Sequence, residues 1–314
     1  MGNPQVIGID FGGTSVKLAV VEGSELLTDV YRIPTQEFDG PDALIAAIVK
    51  ETKRVRKEYP DVAAVGIGVP GAVNFSTGYT YNLTNVRGWT SVPLRDTMTE
   101  KTGLPTVLDN DANCMAFAEW KFGAGQGYRN VICVTLGTGV GGGLILSGEL
   151  FRGSAYAAGE IGQMSIDCDG VEGPYGNSGA LERYIGNRQI AEMAAEMYRE
   201  RGERVPKNHS PEALAGLARQ GDEVARDTWN RVAHYLASCL MSTVYLLNPD
   251  AIVIGGGVAH AGELLFDPLR RRLRETLTVE CYNSLSIVPA RFGNTAGIIG
   301  CSALAADSLA DAQV

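Results

Sequence analysis

The feature that most constrains this chain is a pair of strands broken by a glycine turn, and it occurs twice. VIGIDFGGTSVKLAVV at residues 6–21 shifts without a gap onto VICVTLGTGVGGGLIL at residues 131–146, so that Ile7 falls on Ile132, Gly12 on Gly137 and Val20 on Ile145. A spacing this long is not a solenoid repeat, and it predicts two related α/β units. In the first copy Val16, Leu18 and Val20 alternate after the glycines, so the turn joins two strands. Walker-type phosphate loops and dinucleotide fingerprints open a helix instead, which sets aside a nicotinamide dehydrogenase. Taken singly, each turn reads either as an ordinary tight hairpin, where Gly-Gly is favoured, or as a concave run of backbone N–H groups for an anion. Both turns pair Gly with Thr, which favours a polyphosphate held from two sides.

The chain has 314 residues and a net charge of -9, with no block of basic residues. That argues against a nucleic-acid surface, which needs clustered Lys and Arg. No apolar run reaches membrane-spanning length and no leader pattern opens the chain, so a cytoplasmic protein is expected. The six cysteines, Cys114, Cys133, Cys168, Cys239, Cys281 and Cys301, form no C-x-x-C pair. They read as reduced thiols rather than a disulfide framework or a cysteine metal site.

Further pieces follow in order: VGIGVPGAVN, LTNVRGW, LDNDAN, RGSAYAAGEIGQM, GALE and IVIGGG. Together with DFGGT and LGTGVGGG they resemble the sugar kinase and actin superfamily, and within it the compact ROK kinases (repressor, open reading frame, kinase), over most of the chain. The resemblance implies an actin-like (ribonuclease H-like) α/β fold of two domains with an interdomain cleft. Residues 1–111 would form the smaller domain, with the C-terminal helix 297–314 packed back on it, and residues 112–296 the larger one. It also implies a glucokinase-like activity: ATP-dependent phosphorylation of a hexose, glucose first, with fructose, mannose or an N-acetylhexosamine as alternatives. A sugar-sensing repressor of the same family needs DNA-binding helices ahead of the first strand, and here that strand starts at Val6. A silent sugar binder needs neither phosphate turn. A homodimer is expected by the same resemblance.

Phosphoryl transfer to a hydroxyl needs a base, charge neutralisation and a closed cleft. In LDNDAN the resemblance assigns the base to Asp111 and a sugar hydrogen bond to Asn110. From the residues alone Asp111 reads equally well as an N-cap of the helix that follows. Glu160 and Glu182 match sugar-binding carboxylates of the family, although Glu182 also reads as a first-turn helix acid. Gly71 and Asn85 are expected along the sugar side. Gly12, Gly13, Thr14, Gly137, Thr138 and Gly139 are expected at the phosphates, Gly256 and Gly257 near the adenosine, and Asp10 at Mg2+ through water. Lys17 reads as a plain strand residue.

Many family members carry a structural zinc on one His and three Cys. The corresponding positions are Gln163, Gly173, Tyr175 and Ala180, so no zinc site is expected, with Cys168 left alone. Gln163 remains as a sugar-side hydrogen-bonding residue. Local packing of Pro174 and Tyr175 is expected to stabilise the loop in place of the metal.

Overall fold

The computed structural model describes residues 3–83 and 85–311. Chain order gives β1 (Gln5–Phe11), β2 (Ser15–Glu22), β3 (Glu25–Leu26), β4 (Tyr31–Pro34), α1 (Pro41–Glu58), β5 (Val62–Val69), β6 (Ala72–Asn74), β7 (Tyr79–Tyr81), β8 (Ser91–Val92), α2 (Leu94–Thr102) and β9 (Thr106–Asn110). Then come α3 (Asp111–Phe122), β10 (Val131–Leu136), β11 (Val140–Leu146), β12 (Glu149–Phe151), α4 (Glu182–Ile185), α5 (Asn187–Glu200), α6 (Pro211–Arg219) and α7 (Glu223–Leu247). The chain ends with β13 (Ala251–Gly255), α8 (Glu263–Thr276), α9 (Val279–Asn283), β14 (Ser286–Pro289) and α10 (Ala296–Asp311).

Two sheets share one plan. The first runs β3-β2-β1-β5-β9, with β4 also on β2, and the second runs β12-β11-β10-β13-β14. In each, an antiparallel hairpin is followed by two parallel strands that arrive by helical crossovers. The repeat therefore extends from sequence to topology. Its two halves differ by one residue at the turn: Phe11 pairs Val16 across four residues, whereas Leu136 pairs Val140 across three. The gapless alignment is corrected accordingly, because beyond the turn the partner of Ile132 is Leu144 and not Ile145. A one-residue change of register exchanges the faces of a strand, so the equivalent of Val20 is Leu144.

The sheets are joined by two helices that exchange places. Leaving the first sheet after β9, α3 packs on β10 and β11 of the second, while α10 leaves β14 and packs on β1, β2, β5 and β9 of the first. The two helices also pack on each other. Close approach is set by glycines inside strands, which otherwise weaken a strand. Gly8 and Gly66 are neighbours on β1 and β5, and a Cβ there would lie 2.4 Å from Ile298 O and 1.9 Å from Cys301 O. Gly143 does the same on the second sheet, 2.5 Å from Ala116 Cβ. Part of the GVGGG run therefore makes room for α3 and does not belong to the turn. Buried Glu119 of α3 accepts from the backbone N–H groups of Ala124, Arg291 and Phe292 at 2.8–3.0 Å. It ties the connection into α10 to α3, with no cationic partner among the described residues.

A three-stranded antiparallel sheet, β6-β7-β8, covers one side of the first unit and is not anticipated by the sequence reading. Ser210 caps α6 through Ala213 N, Asp222 caps α7 through Ala225 N, and α7 ends at Asn248 in the left-handed region with φ 43°.

Candidate active site

A cleft of about 840 Å³ opens beside the ends of β5 and β9, the turn between β10 and β11, and the loop after β12. It brings together Gly13, Gly71, Asn85, Asn110, Asp111, Gly137, Thr138, Gly139, Glu160, Gln163 and Glu182. Ligands of open α/β sheets bind at such strand ends.

Asp111 is the first residue of α3, and the cap is its neighbour. Asn110 Oδ1 accepts from Ala112 N at 2.9 Å and Asn113 N at 3.2 Å, while its Nδ2 donates to Gly71 O at 3.1 Å. The alternative reading of Asp111 as the cap is thus corrected: the extended backbone at Asn110 (φ -68°, ψ 146°) has the cap geometry. Gly71 adopts φ +80°, a region in which a side chain is strained, and this turn presents its carbonyl to Asn110. Asp111 is left with one backbone bond, from Ala112 N at 2.9 Å. Its carboxyl is pushed up to about 7, chiefly by desolvation, then by Asp10 and, more weakly, by Glu160. Such a group is poised for proton transfer near neutral pH.

The first turn is closed by Gly12 N donating to Ser15 O at 3.0 Å, and Thr14 O accepts from Thr35 N at 3.0 Å. Gly13 and Thr14 are exposed. The second is closed by Gly137 N donating to Gly139 O at 2.9 Å. Glu182 reaches this turn: its Oε2 accepts from Val140 N at 2.9 Å and stands 2.1 Å from where a Cβ on Gly139 would be. One carboxylate oxygen of Glu182 is therefore engaged with the second turn, while the residue still lines the cleft. Glu160 faces the same space, with its carboxyl raised by desolvation and by Glu182.

Gly256 has φ +85°, and a Cβ on it would fall 2.2 Å from Leu136 O. Only glycine fits against the base of the second hairpin there. Gly257 borders a separate cavity of about 590 Å³ with Asn187, Ser210 and Arg219. This cavity adjoins the turn, since Asn187 N donates to Gly137 O at 2.8 Å.

Lys17 is more than a strand residue. It stands opposite Asp10 in the ladder, and its Nζ lies 3.3 Å from Asp10 Oδ2. Burial nevertheless dominates Asp10, whose carboxyl is raised from its ordinary value. Among the described residues no three His, Cys, Asp or Glu side chains group to hold a metal ion. Mg2+ in nucleotide sites takes one or two carboxylates and otherwise phosphate oxygens and water, and Asp10 beside the first turn meets that need. The zinc ligand set of the resembled family does not fit. Gln163, Gly173, Tyr175 and Ala180 offer neither thiol nor imidazole, and Cys168 is exposed without a second thiol beside it.

Two features escaped the sequence reading. Asp109, 3 % exposed, accepts from Arg152 Nε at 2.7 Å, and its other oxygen accepts from Asn110 N and Asn113 Nδ2. The Arg152 guanidinium lies 3.9 Å from the Phe75 ring centre, and Phe75 adjoins Tyr156. Tyr156 holds φ 58° in the cleft wall, an uncommon state for a bulky side chain. The paired acids of LDNDAN were the available signal, but nothing local in sequence announces a partner 43 residues away.

The ROK family model matches residues 6–308 of this chain. The chain belongs to the ROK family. Among curated ROK relatives, the glucokinase of Streptomyces coelicolor is 34% identical over 310 residues, covering 95% of this chain and 96% of that protein. The N-acetyl-D-glucosamine kinase of Escherichia coli O1:K1 is 33% identical over 308 residues, covering 95% and 98%. The ROK family glucokinase of Streptomyces griseus, crystallised in complex with glucose and AMPPNP, superposes with a TM-score of 0.80 at 32% identity, covering 96% of this chain and 99% of that one. The fold is that of the actin-like two-domain ATPases.

Proposed function

We propose that this ROK protein is an ATP-dependent hexose kinase that converts glucose to glucose 6-phosphate. The observation that carries the reading is Asp111: a carboxyl raised to about 7 at the floor of a cleft flanked by two glycine turns. The similarity to glucokinases over nearly the whole chain supports the acceptor.

In this reading Asp111 takes the proton of the sugar hydroxyl as that oxygen bonds to the γ-phosphorus. The bond from phosphorus to the β,γ-bridging oxygen breaks, and ADP leaves. Asn85, Glu160, Gln163 and Glu182, with Gly71 and Asn110 behind them, orient the sugar. Carboxylates suit this work because one group accepts from two neighbouring hydroxyls. Gly12, Gly13, Thr14, Gly137, Thr138 and Gly139 hold the phosphates, and Gly256 and Gly257 border the adenosine. Asp10 would hold Mg2+ through water, and the ion, when bound, would neutralise charge on the phosphates. We take residues 1–111 with the last helix as one moving unit and 112–296 as the other, closing about α3 and α10 to exclude water. We also take the enzyme to act in the cytoplasm as a homodimer, with Tyr245 and Leu246, exposed at the end of α7, as the candidate contact.

The test is ADP release from MgATP against a panel of hexoses and N-acetylhexosamines, after chelation and return of magnesium alone. Glucose-dependent turnover is expected. N-acetylglucosamine belongs in the panel because of the 33% identity to the kinase for that sugar. Protein that binds ATP yet turns over with no sugar would overturn the proposal.

A further inference from the structure

The loop that carries zinc in the resembled proteins is closed in this chain by hydrogen bonds. The expected packing of Pro174 and Tyr175 does not occur: both are exposed, Tyr175 at 81%. The order comes from the backbone. Ser165 bridges Ala180, and Glu172 bridges Ser178. Ile166 N donates to Gly179 O at 2.9 Å, Gly179 N to Val171 O at 2.8 Å, and Leu181 N to Met164 O at 3.0 Å. Tyr184 Oη accepts from Val171 N at 3.0 Å.

One residue, Asn177, joins two of the four substituted positions, reaching Gln163 through its side chain and Gly173 through its backbone carbonyl. Asn177 Nδ2 donates to Gln163 O at 2.9 Å, and Asn177 O accepts from Gly173 N at 2.6 Å. The amide orientation is decided by chemistry, since only the nitrogen can face a carbonyl. A Cβ on Gly173 would lie 2.4 Å from Asn177 Oδ1. A cysteine at 173 and this asparagine rotamer exclude each other, so glycine at that position and Asn177 belong together. Among the described residues Gln163 Oε1 has no hydrogen-bond partner and is buried, although Gln163 lines the cleft. A buried acceptor left unpaired is costly.

We propose that Asn177 is a positioning residue that takes the place of the metal cross-link, holding Gln163 and the adjoining Glu160 segment where a substrate hydroxyl can reach them. The kinetic part of the test rests on the sugar-kinase reading; the structural part does not. Amide hydrogen exchange of the ligand-free chain is measured over residues 163–181 in wild type, Asn177→Ala and Asn177→Asp. The aspartate keeps the volume but replaces the donor by an acceptor, so a folding failure of the alanine variant leaves the test intact. Exchange in this segment should quicken roughly tenfold in both variants, as loss of one hydrogen bond implies. The KM for the sugar should rise about 3- to 10-fold while the KM for ATP stays unchanged. Wild-type exchange and sugar KM in Asn177→Asp would overturn the proposal. So would a loss of wild-type protection on treatment with a zinc chelator, because a metal would then be the cross-link. Should no sugar be phosphorylated, the kinase reading fails by itself and the exchange measurement still decides the role of Asn177.

Discussion

At the scale of single residues, the site turns on how two adjacent side chains divide their work. Asn110 satisfies the helix N-terminus, so Asp111 keeps a carboxylate free beside the cleft. Replacing Asp111 by Asn should lower turnover by about 10²–10⁴-fold, the usual contribution of a positioned base, with the fold intact. The raised pKa of Asp111 fixes the sign of two pH effects. Activity should fall as pH drops through about 7, where Asp111 takes up its proton; kcat/KM against pH measures it. For stability, the folded chain retains a proton that the unfolded chain releases near 3.8. The contribution of Asp111 to stability is therefore greatest below that value, declines as pH rises to about 7 and levels off beyond. Without nucleotide, Asp111→Asn should melt several degrees above wild type at pH 8, and the gap should close toward pH 4. A thermal scan of both proteins at the two pH values checks this. Arg152 is a second residue-scale case: Arg152→Ala leaves the buried Asp109 charge without its cation, which costs about 3–5 kcal/mol, measurable by urea unfolding.

The elements show why the glycines of this chain have different meanings. Gly137 and Gly139 make a turn, whereas Gly8, Gly66 and Gly143 lie inside strands and admit a helix backbone. Local sequence marks all of them alike, because a missing Cβ is visible but its neighbour is not. Gly66→Ala would push a methyl into Cys301 O. It should cost 1–3 kcal/mol or more, as overpacking does, and a lowered urea midpoint with retained far-ultraviolet dichroism is the expected result. Glu119 makes the same point for charge. With its three backbone donors it satisfies the connection into α10, and Glu119→Ala leaves those donors unpaired at a cost of about 1–3 kcal/mol each. Sequence patterning reads the two hairpins from local periodicity, whereas the C-terminal helix, expected over 297–314 from the family resemblance, is observed at Ala296–Asp311. Patterning missed β6-β7-β8, whose strands are two or three residues long and have too little length for a period to register.

For the whole molecule, two like sheets are arranged about α3 and α10 with the cleft beside their strand ends, and the proposed closure about these helices can be measured. Small-angle scattering should report a contraction when glucose and an ATP analogue are added together. The metal dependence should be one-sided: chelation abolishes turnover, magnesium alone restores it, and added zinc changes nothing. Restoration only by zinc would contradict the loop chemistry seen at Gln163, Gly173, Tyr175 and Ala180.

The resemblance to the ROK kinases supplied the candidate cleft residues and the missing zinc ligands; by itself the sequence determined the strand and turn pairs and their duplication. These depend on residue identity and short-range spacing. Tertiary structure decided the one-residue offset between the hairpins, the capping role of Asn110, the pairing of Lys17 with Asp10 and of Arg152 with Asp109, and the closure of the 165–180 loop by Asn177. Each of these is settled by which groups meet after distant segments pack, and by the cost of leaving a buried polar group without a partner.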